Sequence, residues 1–262
     1  MSADGSANSD MDTAPATGPG GGAPVLELRD VEAGYGPFRA LFGVSLRIGA
    51  GRVVALLGSN GAGKTTTARV CSGLIPPSAG KLFFEGSDIT GMRTYRVSRL
   101  GIAHAPEGRS VFASLSVEEN LLLAFRVELG KKHAGSALNR AYELFPRLGE
   151  RRKQLAGTLS GGEQRMLALA RVLVNPPRLL IADELSLGLA PIVVDEVYKV
   201  LQQVRDEGAA LLLVEQHVKH ALALADDVAV LNHGQVTYFG PASELGDLSE
   251  RLLPAASNGS HA

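Results

Sequence analysis

The sequence of 262 residues has very few of the features that mark a secreted or membrane-spanning protein. Its single cysteine, Cys71, excludes an intramolecular disulfide. No stretch approaches the roughly 20 apolar residues that a membrane-spanning helix needs. The N-terminus is acidic and lacks the apolar core of a signal peptide. Any role at a membrane must therefore depend on a partner.

The chain also lacks an excess of charge of either sign. Its 26 basic and 27 acidic residues give a net charge of −1, and the basic residues are scattered along the chain. No global positive field attracts nucleic acid, so no nucleic-acid partner is expected. The hydrophobic content of 45% is sufficient for a globular core.

Composition and periodicity divide the chain into two tails and one ordered region. Residues 1–24 hold almost nothing that can be buried and predict a disordered tail, and residues 254–262 predict a flexible one. The ordered region then covers residues 25–253, with a helical subdomain at about 86–160. Strands alternate with helices over residues 178–239, which predicts an α/β fold with a parallel sheet covered on both faces.

A complete phosphate-binding loop lies between an apolar strand and a helix. Glycine lets the backbone approach phosphate closely, and the backbone amides with the helix N-terminus attract negative charge. Lys64 is expected to bridge the outer phosphates of ATP and Thr65 to bind Mg²⁺, with Thr66 in the same nucleotide-binding set. The loop matches G-x-x-x-x-G-K-[ST] through Gly58, Ser59, Asn60, Gly61, Ala62, Gly63, Lys64 and Thr65.

Two carboxylates follow the apolar run at residues 179–182. Acids at the carboxyl end of a parallel strand face the crevice where α/β sheets bind ligands. Asp183 is therefore a candidate Mg²⁺ ligand. Glu184 is the candidate catalytic residue that orients and polarises the attacking water.

The most informative segment lies at the start of the apolar helix predicted from residue 163. It consists of Leu159, Ser160, Gly161, Gly162, Glu163 and Gln164. It resembles the LSGGQ signature of ABC ATPases, and its order relative to the phosphate loop and the two acids agrees with that family. The resemblance implies a P-loop NTPase fold of the ABC type, with an inserted helical subdomain and an N-terminal antiparallel β subdomain.

In ABC ATPases two such domains pair head to tail. The resemblance therefore implies that the signature residues Leu159 to Glu163 act on the nucleotide held by a partner. Tyr35 matches the adenine-stacking aromatic, and Glu107 lies where most members have the Q-loop glutamine. Residues 186–190 match the D-loop, with Ala190 where an Asp is usual.

The position of the switch histidine has two possible assignments. Counting back from Asp226 places Gln216 at this position, where it would contact the γ-phosphate as a neutral donor. A one-residue slip at the strand end would bring His217 there instead. We favour Gln216, with His217 as the alternative.

Several segments resemble the LivF-type ATPases of branched-chain amino acid importers, among them residues 106–112, 186–191 and 214–216. Such subunits work beside a second, LivG-type ATPase or a copy of themselves, two membrane permeases and a substrate-binding protein. The resemblance implies a peripheral location on the cytoplasmic side of the membrane. Leu185 stands where this subgroup usually has Pro, so the positioning of Glu184 is the point that this departure affects.

Three functions compete on the sequence alone. The first is the ATPase of an importer for branched-chain amino acids, or of a related importer for urea, amides or other amino acids. The second, a soluble ABC ATPase acting in DNA repair or on ribosomes, usually needs a long coiled coil or two fused ATPase domains. The third, an inactive nucleotide-binding protein, would lack one of the residues Lys64, Thr65, Asp183 and Glu184, all of which are present.

Overall fold

The first sheet lies near the N-terminus of the chain. The computed structural model describes residues 23–106, 111–173, 177–216 and 218–245. Four strands form an antiparallel sheet in the order β2-β1-β4-β5. This sheet confirms the expected N-terminal β subdomain. Its strands are β1 (Pro24–Tyr35), β2 (Phe38–Gly49), β4 (Ala79–Phe84) and β5 (Ser87–Asp88).

A second, six-stranded sheet has the order β10-β9-β3-β8-β7-β6. Neighbouring strands are parallel from β9 to β6, and β10 pairs antiparallel with β9. The predicted parallel sheet is therefore confirmed. The strands are β3 (Val53–Leu57), β6 (Ile102–Ala105), β7 (Leu179–Asp183), β8 (Ala210–Glu215), β9 (Asp227–Asn232) and β10 (Gln235–Pro241).

Helices connect the strands and form most of the region between β6 and β7. Two short 3-10 turns cover Ala156–Thr158 and Ala242–Glu244. The α-helices in the described residues are α1 (Lys64–Cys71), α2 (Thr94–Arg99), α3 (Val117–Leu129), α4 (Ala134–Leu144), α5 (Pro146–Glu150), α6 (Gly161–Val172), α7 (Pro191–Asp206) and α8 (Val218–Leu224).

Both faces of the large sheet are buried, because successive side chains along a strand point to opposite faces. In β8, Leu211 and Leu213 pack in a core with α3, α6 and α7. Leu212 and Val214, which alternate with them, pack in a core with β1, β2 and α1. The continuous apolar run of β8 is therefore typical of a strand between two layers.

The helical region begins later than the predicted boundary at residue 86. Residues 87–88 extend the antiparallel sheet, and β6 pairs in parallel with β7 at the edge of the large sheet. The sequence did not reveal β6 because its four residues, Ile102–Ala105, include a polar His104 and two alanines. Glu107, His217 and residues 1–22 and 246–262, which contain most of the predicted tails, lie outside the described residues.

A fully buried asparagine fixes the start of α3. The Asn120 side chain accepts a hydrogen bond from the Phe112 amide at 2.8 Å. It donates to the carbonyl oxygens of Phe112 and Ser116, each at 3.0 Å. Ser116 also caps α3 through a reciprocal pair of bonds with Glu119. The loop that precedes α3 therefore depends on one amide side chain.

Asn120→Ala is expected to lower the free energy of unfolding by about 2 kcal/mol, because buried backbone groups lose their partners. Urea denaturation of the full chain measures this change. Val127→Ala on the same helix is the control, since Val127 is 76% exposed. Equal stability of the two variants would contradict the role given to Asn120.

Candidate functional site

The phosphate-binding loop connects the end of β3 to the start of α1, as the sequence predicted. Lys64 is the first residue of α1 and is only 3% exposed. Its Nζ donates to the carbonyl oxygens of Gly58 at 3.0 Å and Ser59 at 3.1 Å. The two carbonyl oxygens therefore hold the ammonium group against the phosphate-binding loop.

Two glycines of the loop occupy positions that no other residue fits. A Cβ at Gly58 would lie 2.3 Å from the carbonyl oxygen of Leu231. Gly63 has a φ of 106°, and a Cβ there would lie 2.8 Å from Leu41 Cδ2. One side of the loop therefore packs against the rest of the chain, at Leu41 and Leu231. On the opposite side, glycine leaves the backbone amides of the loop accessible.

The predicted metal ligands lie close together. Thr65 Oγ1 donates to Asp183 Oδ1 at 3.4 Å, and Asp183 is the last residue of β7. A hydroxyl and a carboxylate match the oxygen ligands that Mg²⁺ prefers, and Mg²⁺ completes its shell with phosphate oxygens and water. The pair therefore fits a Mg²⁺ ion that a nucleotide also binds.

Glu184 lies one residue further on and has two close polar neighbours. Gln216 Nε2 donates to Glu184 Oε1 at 3.0 Å. Lys64 Nζ lies 3.7 Å from the same oxygen. Glu184 is 7% exposed and its φ of 49° lies in the left-handed region. The predicted catalytic carboxylate and the favoured switch residue are thus in direct contact.

His104 on β6, which no sequence pattern singled out, lies beside the predicted metal ligands. Its Nε2 lies 4.0 Å from Asp183 Oδ2 and has no hydrogen-bond partner among the described residues. Burial, together with the charge of Arg69, lowers the pKa of His104 to about 4, so the imidazole is neutral at pH 7. The only signal in the sequence was its position just before Ala105 and Pro106.

The signature segment forms the N-terminus of α6. Ser160 is the N-cap, and Glu163 Oε2 accepts from the Ser160 amide and hydroxyl, each at 2.9 Å. Arg151 Nε lies 2.9 Å from the other oxygen of Glu163. Gly162 packs on α7, where a Cβ would lie 2.8 Å from Val193 Cγ1. These contacts leave the first amides of α6 at a fixed helix N-terminus.

Tyr35 lies at the end of β1, beside α1. The residue is 44% exposed, and its hydroxyl accepts from Arg69 Nη1 at 2.9 Å. The hydroxyl also lies 3.5 Å from Thr66 Oγ1. The aromatic ring is therefore tied to the helix that follows the phosphate-binding loop.

A cavity of about 690 Å³ lies between the large sheet and the helical region. Thr94 and Ser98 of α2 line it, opposite α3 and α6. Its exposed apolar residues include Leu123 and Val127 on α3. His104 and Leu185, the neighbours of the two acids, also line it. We call this cavity the groove.

Comparison with known proteins agrees with this geometry. The family model described as "ABC transporter" matches residues 41–186. The high-affinity branched-chain amino acid transport ATP-binding protein BraG of Pseudomonas aeruginosa is 42% identical, over 81% of this chain and 91% of that protein. A probable branched-chain amino acid transport ATP-binding protein, LivF of Archaeoglobus fulgidus, is 37% identical, over 84% and 94%. The lipopolysaccharide export system ATP-binding protein LptB of Escherichia coli K12 is 31% identical, over 84% and 92%.

Solved structures share the fold. A nucleotide-free ATP-binding cassette from an ABC transporter superposes with a TM-score of 0.77 at 23% identity, over 87% of this chain and 97% of that one. The ATP-binding subunit of an ABC transporter gives a TM-score of 0.74 at 28% identity, over 87% and 92%. With the phosphate loop, the acids and the signature in place, the chain belongs to the ABC transporter family, as an ATP-hydrolysing, ATP-binding subunit.

Proposed function

We propose that this chain powers an importer for branched-chain amino acids by hydrolysing ATP. The observation that supports this function is the convergence of five side chains at the carboxyl ends of the strands of the large sheet. They are Lys64, Thr65, Asp183, Glu184 and Gln216. The names of BraG and LivF, at 42% and 37% identity, support the cargo. LptB, named for lipopolysaccharide export, is less similar at 31%.

Each residue of the site has a separate task in hydrolysis. Thr65 and Asp183 hold Mg²⁺, and Lys64 with the loop amides holds the phosphates of ATP. When bound, Mg²⁺-ATP supplies an activated phosphoryl group. The Glu184 carboxylate accepts a hydrogen bond from the attacking water and orients it, and Gln216 fixes that carboxylate. The aromatic face of Tyr35 stacks on the adenine.

The site is completed by a second ATPase subunit, either LivG-like or a second copy of this chain. The N-terminus of α6 carries the positive end of the helix dipole together with the first backbone amides of the helix. We place this end, from Leu159 to Glu163, against the γ-phosphate held by the partner. Gly161 and Gly162 let the partner's phosphate approach the backbone. Glu107, at the position of the Q-loop, is proposed to belong instead to the nucleotide site that this chain forms with its own phosphate-binding loop.

The membrane partners are two permeases, and the groove is the docking site that we propose for them. Leu123, Val127 and Leu74 are exposed apolar side chains on its walls, which suits a short amphipathic helix from a permease loop. No helix of the described residues is long and apolar enough to cross a bilayer. We propose that the subunit lies at the cytoplasmic face of the membrane, bound to the permeases, and that a substrate-binding protein delivers the cargo to them.

Glu184→Gln is expected to lower the ATP turnover number by about 100-fold or more, because an amide is a poor base and no longer polarises water. Binding of ATP should persist, since the phosphate-binding loop is intact. Phosphate release and equilibrium binding of a fluorescent ATP analogue measure the two quantities. In cells, the same variant should abolish uptake of labelled leucine, isoleucine and valine.

Glu207→Gln is the matched control, because Glu207 lies at the exposed end of α7 and pairs with Arg140. It should leave turnover and uptake at the level of the unchanged chain. Normal turnover in Glu184→Gln would overturn the role of Glu184. Lost turnover with normal uptake of all three amino acids would overturn the cargo and leave the ATPase assignment intact.

Lys64→Ala is expected to act on binding. It removes the ammonium that Gly58 and Ser59 hold inside the loop, so ATP affinity should fall by about 10-fold or more. Titration with the same ATP analogue measures the dissociation constant. Lys81→Ala is the control, because the Lys81 side chain is 63% exposed and pairs with Asp88 in the antiparallel sheet. Equal affinities for the two variants would contradict the assignment.

The choice between Gln216 and His217 can be settled with two alanine variants. Gln216 donates directly to Glu184, so Gln216→Ala should reduce the turnover number by about 10-fold at unchanged ATP affinity. His217→Ala should leave both quantities unchanged. The opposite pattern in a steady-state phosphate-release assay would move the switch role to His217.

A further inference from the structure

Two hydrogen-bonded pairs join the ends of β7 and β8. The first is the bond from Gln216 to Glu184. The second is formed by Ser186, two residues after Glu184, and Glu215, the last residue of β8. Ser186 Oγ donates to Glu215 Oε2 at 2.7 Å, and the Ser186 amide donates to Glu215 Oε1 at 3.3 Å. We call this second pair the Ser186–Glu215 clamp.

The clamp closes a ring with the catalytic carboxylate. Residues 184–186 form one side of the ring and residues 215–216 form the other, and the two hydrogen-bonded pairs join them at both ends. The amide of Glu184 also donates to the Val214 carbonyl oxygen at 2.8 Å. The backbone that carries Glu184 is thus fixed on both sides of its Cα.

Both members of the clamp are buried, Glu215 at 4% exposure and Ser186 at 3%. A carboxylate in such a place is costly unless hydrogen bonds satisfy it. A short bond between a hydroxyl and a carboxylate is among the stronger ones that a protein makes. An apolar residue would fill the same space without that cost, which indicates that the position serves more than packing.

The conformation of Glu184 shows what the clamp has to hold. Its φ of 49° is uncommon for a residue with a long side chain, and such a conformation persists only when the surroundings enforce it. Leu185, which follows Glu184, does not restrict the backbone as a proline at that position would. The hydrogen bonds around residues 184–186 supply the restraint instead.

We propose that Glu215 is a positioning residue for ATP hydrolysis. Through Ser186 it fixes the chain after Glu184, and through the adjoining Gln216 it fixes the carboxylate itself. In this role Glu215 acts on the reaction through Glu184. The proposal rests on the role that we assign to Glu184.

Glu215→Leu and Ser186→Ala test the proposal in the full chain with Mg²⁺-ATP. The turnover number should fall by about 10-fold to 100-fold for Glu215→Leu, because a misplaced catalytic group is costly, and less for Ser186→Ala, which keeps its amide. The dissociation constant for ATP should stay unchanged. Glu215→Gln should recover most of the turnover, since its amide can pair with both the hydroxyl and the amide of Ser186.

Two further variants separate positioning from general stability. Glu27 is also a buried carboxylate, bonded to Arg29 and Arg47 in the antiparallel sheet. Glu27→Leu should lower the melting temperature and leave the turnover number of the folded protein unchanged. In a Glu184→Gln background, Ser186→Ala should have no further effect on turnover.

The outcomes distinguish the two proposals. If Glu184→Gln retains turnover, the assigned role of Glu184 is wrong, and the proposal for Glu215 falls with it. If Glu184→Gln loses turnover while Glu215→Leu and Ser186→Ala keep it, only the positioning role is overturned. A loss of ATP affinity in parallel with turnover, or an equal loss for Glu27→Leu, would show a purely structural role.

Discussion

The burial of one ammonium group beside two carboxylates is the constraint on which the rest of the site depends. Lys64, Asp183 and Glu184 are all less than 10% exposed. Buried charges are tolerated only when they are paired and hydrogen-bonded. The carbonyl oxygens of Gly58 and Ser59 and the carboxylate of Glu184 provide those partners for Lys64. The loop, the helix and the strand ends therefore have to meet at one place.

The register of the parallel sheet arranges this meeting. Leu57 of β3 lies opposite Glu215 of β8, and Asp183 of β7 lies opposite Val214. The three strands therefore end at nearly the same level, and the residues that follow them lie together at the carboxyl ends of the strands. Gly58 and Gln216 each follow a strand directly. A shift of one strand by one residue would turn its side chains to the other face and separate the pairs.

The parts of the site that could be predicted are those whose residues lie close together in the sequence. The loop around Lys64 and the pair Asp183 and Glu184 need only their own residues and the adjacent elements to be recognised. The missed features depend on pairing over long distances in the chain. His104 approaches Asp183 only because β6 pairs with β7, and Ser186 meets Glu215 across 29 residues. No local sequence pattern predicts either contact.

The same reason explains the misplaced start of the helical region. Residues 87–88 and 102–105 are too short to show a strand period, and their partners, β4 and β7, fix them as strands. The long, strongly apolar strands needed no such partner to be recognised, because burial on both faces makes β8 apolar from Ala210 to Val214. Sequence patterns thus predicted the longer strands but not the short strands β5 and β6, each of which lies at an edge of its sheet.

The edge strand β6 lies between the groove and the two acids of the site. His104 lies 4.0 Å from Asp183 and lines the groove, and Leu185 follows Glu184 and lines the same groove. The lining of the groove and the two carboxylates therefore belong to the same strand ends. If a permease docks in the groove, as we propose, a displacement of His104 or Leu185 would also displace Asp183 and Glu184, because tightly packed interiors transmit displacement. The proposed docking site and the proposed catalytic groups are thus separated by one or two residues.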